Sequence, residues 1–166
     1  MGKILILETL MDFQIHALAY EPFSVLFDLS DTQLAARSAV REVVLSCPGS
    51  PCRVSLADAQ VGETVVLLNY QHQPAPTPFQ SAHAIYVRQG AVQAELCSNE
   101  VPSVLLSRLV SLRCFGADGM MMNADLMEGS ALQDALWRAF DNDLVVDVHL
   151  HYAKPGCFAA RATRAI

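Results

Sequence analysis

Two histidines separated by one residue form the sequence pattern with the clearest chemical potential. His149 and His151 lie in a segment with strand character, and residues i and i+2 of a strand point the same way, about 6 to 7 Å apart. Two imidazoles at that spacing can bind one metal ion such as zinc, and His72, His83 or Cys157 would supply a third ligand. A metal is not the favoured interpretation, because an antiparallel strand also needs a polar side, which faces solvent or lines a cleft without metal.

Cys157 is the leading candidate for a nucleophilic thiol. It follows a lysine in a turn close to the predicted strand that carries His149 and His151, which we call the histidine strand. A nearby cation or imidazole favours the reactive thiolate. His149 and His151 could act as base and orienting group, which makes these three residues the candidate catalytic set. The alternative is a small buried cysteine without reactivity, and both interpretations also apply to Cys52 beside Arg53.

Arginine provides nearly all of the positive charge, since only two of the eleven basic residues are lysines. A planar guanidinium binds carboxylates and phosphates through paired hydrogen bonds. We therefore expect a ligand-binding set in or beside the strands, and its candidate members are Arg53, Asn69, His72, His83, Arg88 and Arg161. The alternative for each arginine is an ordinary ion pair with one of the seventeen acidic residues.

These side chains must be positioned by a fold in which strands outweigh helices. Runs of β-branched and apolar residues predict strands over 64–70, 82–88, 109–115, 144–152 and 158–163, with weaker patterns over 12–18 and 40–46. Segment 64–70 is apolar on both faces, which is typical of a covered central strand. The Pro-Gly turn within 154–157 predicts a hairpin after the histidine strand.

Helix signals are fewer. Ser130 followed by Gln133 is a capping pattern, and an apolar stripe then predicts a helix over 130–140. The same pattern follows Ser30, and Pro102 is typical of the first turn of another short helix. The methionines of 119–122 are expected to fill gaps in the core. The sequence thus predicts an α+β fold, a single domain with a mostly antiparallel β-sheet and two or three short helices.

Composition limits the class of protein. The chain has 166 residues, of which 52% are hydrophobic and 17% charged, so we expect one packed domain. A net charge of −6 argues against nucleic acid as a partner. Apolar runs such as 4–7 and 65–68 are four residues long, far below a membrane span, so no membrane partner is expected.

The domain is expected to cover residues 12–166, with residues 1–11 as an N-terminal extension that is not part of it. Met11 is then an alternative start, whereas a strand over 3–7 is the other interpretation of this segment. The run at 4–7 is too short for a signal peptide. Five irregularly spaced cysteines favour reduced thiols over disulfides, and hence a cytoplasmic location.

Several short segments together resemble a known family. They are Pro-Cys-Arg-Val-Ser-Leu at 51–56, Leu-Asn-Tyr-Gln-His at 68–72, Ser-Ala-His-Ala-Ile-Tyr-Val-Arg at 81–88, and His-Leu-His at 149–151 before Lys-Pro-Gly-Cys at 154–157. In this order they resemble the bacterial domain-of-unknown-function family numbered 1203, from about Asp12 to the end of the chain. The resemblance implies membership of that family, but it implies no activity, cofactor or catalytic residue.

Two classes of function stay open. The first is a small enzyme with a His/Cys/Arg polar site, and the second is a non-catalytic binding or regulatory module for a small acidic ligand. The sequence has no phosphate-binding loop, dinucleotide fingerprint, HExxH helix or GxSxG elbow, which removes the familiar cofactor and hydrolase interpretations. Reaction, substrate and oligomeric state are not determined by these patterns.

Overall fold

The computed structural model of the protein describes residues 11–166. The alternative strand at 3–7 lies outside the described residues. Within them the chain forms two five-stranded sheets and four α-helices, in the predicted α+β arrangement. No helix among them is both long enough and apolar enough to span a bilayer.

The histidine strand is the central strand of sheet 1. Across this sheet the order is β1 (Phe13–His16), β10 (Phe158–Arg164), β9 (Asp147–Tyr152), β7 (Leu109–Phe115) and β8 (Met121–Glu128). All neighbouring pairs are antiparallel. Because successive side chains of a strand alternate, β9 directs Val148 and Leu150 to one face and His149 and His151 to the other.

Sheet 2 is built around the two longest paired strands. Its order is β2 (Ala39–Val43), β5 (Thr64–Gln73), β6 (Ser81–Arg88), β3 (Pro51–Cys52) and β4 (Ala57–Asp58), and only the β3–β6 pair is parallel. The predicted double-sided burial of β5 holds at Val65 and Val66, which are both fully buried. It fails further along the strand, where Asn69 and Gln71 are exposed.

Three of the four helices were predicted. They are α2 (Asp31–Ala35), α3 (Ser103–Leu106) and α4 (Leu132–Phe140), and α1 (Glu21–Ser24) is additional. The capping box at Ser30 is present, since its side chain accepts from the backbone of Gln33 and the Gln33 side chain accepts in return. The expected box at Ser130 is wrong, because a 3₁₀ turn over Gly129–Ala131 precedes α4 and no side chain caps it.

Each sheet has its own core. Helix α4 packs Leu132, Leu136 and Phe140 against the apolar face of sheet 1. The core of sheet 2 joins Phe23 and Leu34 from the helical N-terminal region to the central strands, and it also includes Phe158 of β10. Phe158 therefore links the two sheets.

Strand β8 was not predicted. The methionines expected in the core instead lie at its start, and Met122 is 42% exposed. Asn123, Asp125 and Glu128 give the segment a polar composition with no alternation. An edge strand exposed on both faces needs no apolar alternation, so the usual signal is absent.

Gly129 follows β8 and lies against the end of α3, and a substitution at this position tests that contact. A Cβ at this position would overlap the carbonyl group of Leu105 and approach the Leu106 carbonyl carbon to 2.8 Å, at the end of α3. We expect Gly129→Ala to lower the free energy of unfolding by about 2 to 4 kcal/mol, because the neighbouring atoms are backbone and must shift. The matched control is Gly49→Ala, whose Cβ would lie 3.7 Å from its nearest neighbour. Urea unfolding at pH 7 measures both, and equal stabilities of the two variants would contradict the packing described.

Candidate functional site

The polar face of β9 is buried. His149 and His151 are only 2% and 0% exposed, because sheet 2 covers this side of sheet 1. The solvent-facing interpretation of these histidines is therefore wrong. Across to β7, His149 lies opposite Arg113 and His151 opposite Ser111, so the buried polar face extends over both strands.

Sheet 2 contributes two more histidines to the same place. His83 on β6 pairs with Tyr70 on β5, and a β-bulge follows between Gln71 and Gln73. The bulge contains His72, and a bulge redirects a side chain relative to the regular alternation. The ring of His72 packs between Phe158, at 5.0 Å between centroids, and His83, at 4.8 Å.

Four histidines thus form one cluster, which we call the histidine cluster: His72, His83, His149 and His151. Nε2 of His72 lies 2.7 Å from Nδ1 of His83, and Nδ1 of His72 lies 3.1 Å from Nδ1 of His149. His151 completes the group, with its ring centroid 4.9 Å from that of His72 and 5.3 Å from that of His83. Residues separated by up to 79 positions in the sequence therefore share one buried volume.

The hydrogen bonds of the cluster assign its ring protons. Nδ1 of His151 lies 3.0 Å from the carbonyl oxygen of Gly156, and a carbonyl can only accept, so this nitrogen carries the hydrogen. Nε2 of His149 lies 3.3 Å from the Asp147 carboxylate and donates to it for the same reason. A neutral imidazole that donates through Nε2 can only accept at Nδ1, so Nδ1 of His149 accepts from Nδ1 of His72, which leaves Nε2 of His72 with a lone pair.

Burial favours the neutral form of three of these imidazoles, those of His72, His83 and His151. It lowers the pKa of His72 and of His151 to about 3, and the positive charge of Arg113 acts in the same direction. The pKa of His83 is also lowered, chiefly by burial and then by Arg113. Burial raises the pKa of Asp147, but hydrogen bonds from His149 and Arg161 outweigh it, so the carboxylate stays ionised at neutral pH.

Cys157 lies beside a buried arginine. The guanidinium of Arg53 is 1% exposed and donates to the sulfur of Cys157 at 3.0 Å. Its other hydrogen bonds go to the carbonyl oxygens of Phe158, at 2.8 Å, and Pro51, and the group lies over the ring of Tyr152 at 4.9 Å. None of the ion pairs formed by the described residues involves Arg53. The expected contact of Cys157 with histidine is not among its described hydrogen bonds.

A cleft of about 620 Å³ opens next to Cys157 and Arg53. Its wall is formed by the loop before β3, by β6, by the α3–β7 connection and by the turn after β9. The polar side chains lining it are Arg53, His83, Tyr86, Ser107, Arg108, Tyr152, Lys154 and Cys157, and no carboxylate of the described residues is among them. His83 belongs to both the cleft and the histidine cluster.

Three members of the predicted ligand-binding set lie elsewhere. Arg88 is paired with Glu63 at 3.3 Å, and Arg161 is paired with Asp147 at 2.7 Å, as the ion-pair alternative expected. Asn69 is exposed on β5. The structure brings Arg53, His72 and His83 to the cleft or the cluster, together with the candidate catalytic residues.

Sequence reasoning missed three residues of this region. Arg108 donates to both oxygens of Asp58, at 2.7 and 2.8 Å, and lines the cleft. Tyr152 lies beneath two guanidiniums, and burial raises its pKa to about 12. Arg113 has no ion pair among the described residues. The strand alternation that placed His149 would also have placed Arg113 on the polar face of β7, had the pairing of β7 with β9 been known.

Comparison with protein families identifies the class. Residues 49–164 match the family described as a protein of unknown function, DUF1203, so the chain belongs to that family. The matched segment contains the entire cleft lining and the histidine cluster. Comparisons with curated proteins and with solved structures give no match.

The low histidine pKa values predict how stability depends on pH. Folding lowers the pKa of His72 and His151 from about 6.5 to about 3, so the unfolded chain binds more protons between these values. The histidine contribution to stability is complete above pH 6.5 and is lost as the pH falls toward 3. We expect the midpoint of thermal unfolding, measured in EDTA-containing buffer, to fall by several degrees from pH 7 to pH 5.

The control compares His151→Gln with His16→Gln. His16 is an exposed residue on β1 whose ring is bonded to Thr163. The pH dependence should become shallower with His151→Gln and change much less with His16→Gln. Identical slopes in the wild type and in both variants would show that the cluster is not the origin of the effect.

Proposed function

We propose that the protein binds a small anionic molecule in the cleft beside Cys157. The observation that carries this proposal is the charge of the cleft wall: the cations Arg53 and Lys154 line it and form none of the described ion pairs, and no described carboxylate lines it, in a chain of net charge −6. Arg108 also lines the cleft, but its charge is paired with Asp58. A cleft of about 620 Å³ is also within the usual range for small-molecule sites.

The buried charge of Arg53 supports the same proposal. A buried guanidinium without a counter-charge is costly unless hydrogen bonds or an anion compensate it. Its described acceptors are two carbonyl oxygens and one sulfur, none of them a carboxylate. Lys154 is exposed at the rim and forms none of the described ion pairs, so it is free to meet a ligand. The ligand class is a carboxylate or phosphate ester, which a guanidinium binds well.

We also propose a cytoplasmic setting, supported by the free state of all five cysteines, two of which are exposed, and a bacterial origin, which is supported by the family resemblance alone. Binding of a small molecule rather than nucleic acid is supported by the acidic net charge.

Anion binding can be measured with citrate and inorganic phosphate as probes, with glycerol as the uncharged comparison. We expect the anions to raise the unfolding midpoint in a saturable way, since a ligand that binds only the folded state stabilises it. Lys154→Gln should weaken the apparent affinity by about threefold to tenfold, because one free cation at the rim is lost.

Arg37→Gln is the matched control, since it removes one exposed positive charge at the end of α2, outside the cleft lining. It should leave the affinity unchanged. An equal effect of the two substitutions, or the same shift with glycerol, would mean that the stabilisation is a general solvent effect and that the cleft is not the site.

A second candidate function is catalysis by the thiol of Cys157 on such an anion. The observation that favours it is the hydrogen bond from Arg53 to this sulfur at 3.0 Å, in a residue that lines the cleft. A cation beside a sulfur favours the nucleophilic thiolate form. The cleft would then hold a phosphate ester, and the Cys157 sulfur would form a bond to phosphorus while the ester P–O bond breaks and the alkoxide leaves as the alcohol with the thiol proton.

Alkylation with two reagents tests this second function. Iodoacetate and iodoacetamide both transfer a carbon to sulfur with loss of iodide, but only iodoacetate is anionic. We expect the ratio of their rates, iodoacetate over iodoacetamide, to be higher at Cys157 than at the exposed Cys47 and Cys97, because the cationic wall concentrates the anion. Lys154→Gln should reduce the ratio at Cys157 alone. Equal ratios at all three thiols, measured by peptide mass spectrometry, would reject a reactive Cys157 in an anion-binding cleft.

A further inference from the structure

The histidine cluster contains a set of ring nitrogens arranged around one point. His72, His83 and His151 each offer one nitrogen, and these three atoms lie within 4.8 Å of one another. They come from a bulge in β5, from β6 and from β9, so both sheets contribute to the set. We propose that these three histidines form a binding site for a divalent transition-metal ion such as zinc.

An unpaired nitrogen on His151 supports the site independently. The ring is fully buried, and its Nε2 has no hydrogen-bond partner among the described residues. Because Nδ1 donates to the carbonyl oxygen of Gly156, the neutral ring presents a lone pair at Nε2. A buried acceptor without a donor is unfavourable, because it has lost its hydrogen bonds to water and gained none. A metal ion in the cluster would use this lone pair.

The Gly156 contact is also the usual support of a metal-binding imidazole. Histidine ligands commonly donate their second ring N–H to a backbone carbonyl or a carboxylate, which fixes the tautomer and the ring orientation. His151 has this arrangement, because its Nδ1 donates to the carbonyl oxygen of Gly156.

His72 has a longer support of the same kind. Its Nδ1 donates to His149, whose Nε2 donates to the carboxylate of Asp147. This chain directs the lone pair of His72 Nε2 toward the other two histidines and places a negative charge behind the ligand. His149 is therefore a positioning residue, because both of its ring nitrogens are occupied. Of the expected ligand pair, His149 and His151, only His151 belongs to the proposed set. The other two members, His72 and His83, were expected as candidates for the third ligand.

The cluster needs two small adjustments to hold an ion. Nδ1 of His83 donates to the lone pair on Nε2 of His72, so the proton of His83 must move to its own Nε2 before Nδ1 can bind a metal. The two nitrogens must also move apart. Two nitrogens bound at 2.0–2.1 Å in tetrahedral geometry are about 3.3 Å apart, whereas Nε2 of His72 and Nδ1 of His83 are separated by 2.7 Å. His83 is half-buried and lies at the cleft, so its ring has space to move. Three histidine ligands leave at least one coordination position for water or another ligand.

Arg113 opposes a cation at this position. It lies opposite His149 on the neighbouring strand β7, on the same buried polar face, and it forms none of the ion pairs of the described residues, so its positive charge repels a cation there. The same repulsion acts on a divalent ion, while Asp147 acts in the opposite sense through His149. Removing the charge of Arg113 should therefore strengthen metal binding, which a purely structural histidine cluster would not do.

Metal titration of the full chain, purified without an affinity tag and stripped with EDTA, tests the site. Co²⁺ serves as the spectroscopic probe and Zn²⁺ as the competitor. We expect one ion per chain, with the visible Co²⁺ absorption of a low-coordinate site. His83→Gln and His151→Gln should each weaken binding by at least about a hundredfold, and His149→Gln by about tenfold to a hundredfold. The control His16→Gln should leave binding unchanged.

Charge variants complete the experiment. Arg113→Gln should bind Co²⁺ several-fold more tightly than the wild type, whereas Arg37→Gln should bind it equally. His83 is half-buried, so its variant is the one expected to keep the fold, and circular dichroism checks this for every variant. If His151→Gln does not fold, His83→Gln and Arg113→Gln still decide the question.

Three results would overturn the proposal: less than a tenth of an equivalent of bound Co²⁺, unchanged affinity in His83→Gln, or a thiolate charge-transfer band that disappears in Cys157→Ser. The last result would mean a different ligand set.

Lys154→Gln separates this proposal from anion binding, because it should weaken citrate binding and leave Co²⁺ binding intact. Loss of one activity therefore does not imply loss of the other.

Discussion

A guanidinium buried at the junction of the two sheets is the interaction on which the candidate site depends. Arg53 follows β3 of sheet 2, yet it donates to the Phe158 carbonyl and the Cys157 sulfur at the start of β10 in sheet 1. Its plane rests on Tyr152 of β9. Buried charge is tolerated only where its donors are satisfied, so this one side chain fixes β3, the start of β10 and the Cys157 sulfur relative to one another.

The histidine cluster likewise connects the two sheets, since His72 and His83 belong to sheet 2 and His149 and His151 to sheet 1. Its rings fill the space between the sheets, with Phe158 against His72 on one side and Phe115 against His149 on the other. Neutral imidazoles can occupy such a volume because burial has removed their charge. His83 lies in both the cluster and the cleft, so this single side chain connects the two.

Local patterns in the sequence were sufficient to predict most helices and strands and to predict which residues of β9 share a face. Alternation placed His149 and His151 on one face correctly, and the strand over 109–115 has the observed bounds. The same reasoning could not show that this face is covered, because the histidines that cover it, His72 and His83, lie 66 or more positions before His149 in the sequence. Nor could it find the bulge that redirects His72, since Gln71 and Gln73 carry no distinctive signal. Charge partners such as Asp58 for Arg108 likewise appear only once the strands are assembled.

The family match begins at residue 49, and two strands precede this residue in the sequence. Those strands, β1 and β2, are the outermost strands at one end of sheet 1 and one end of sheet 2. An open sheet edge exposes unpaired N–H and C=O groups to other chains, and each of these strands covers one such edge while the side chain of Phe13 enters the core. The matched segment therefore holds the cleft and the histidine cluster, whereas the residues before it supply an outer strand of each sheet and part of both cores, including Phe13, Phe23 and Leu34.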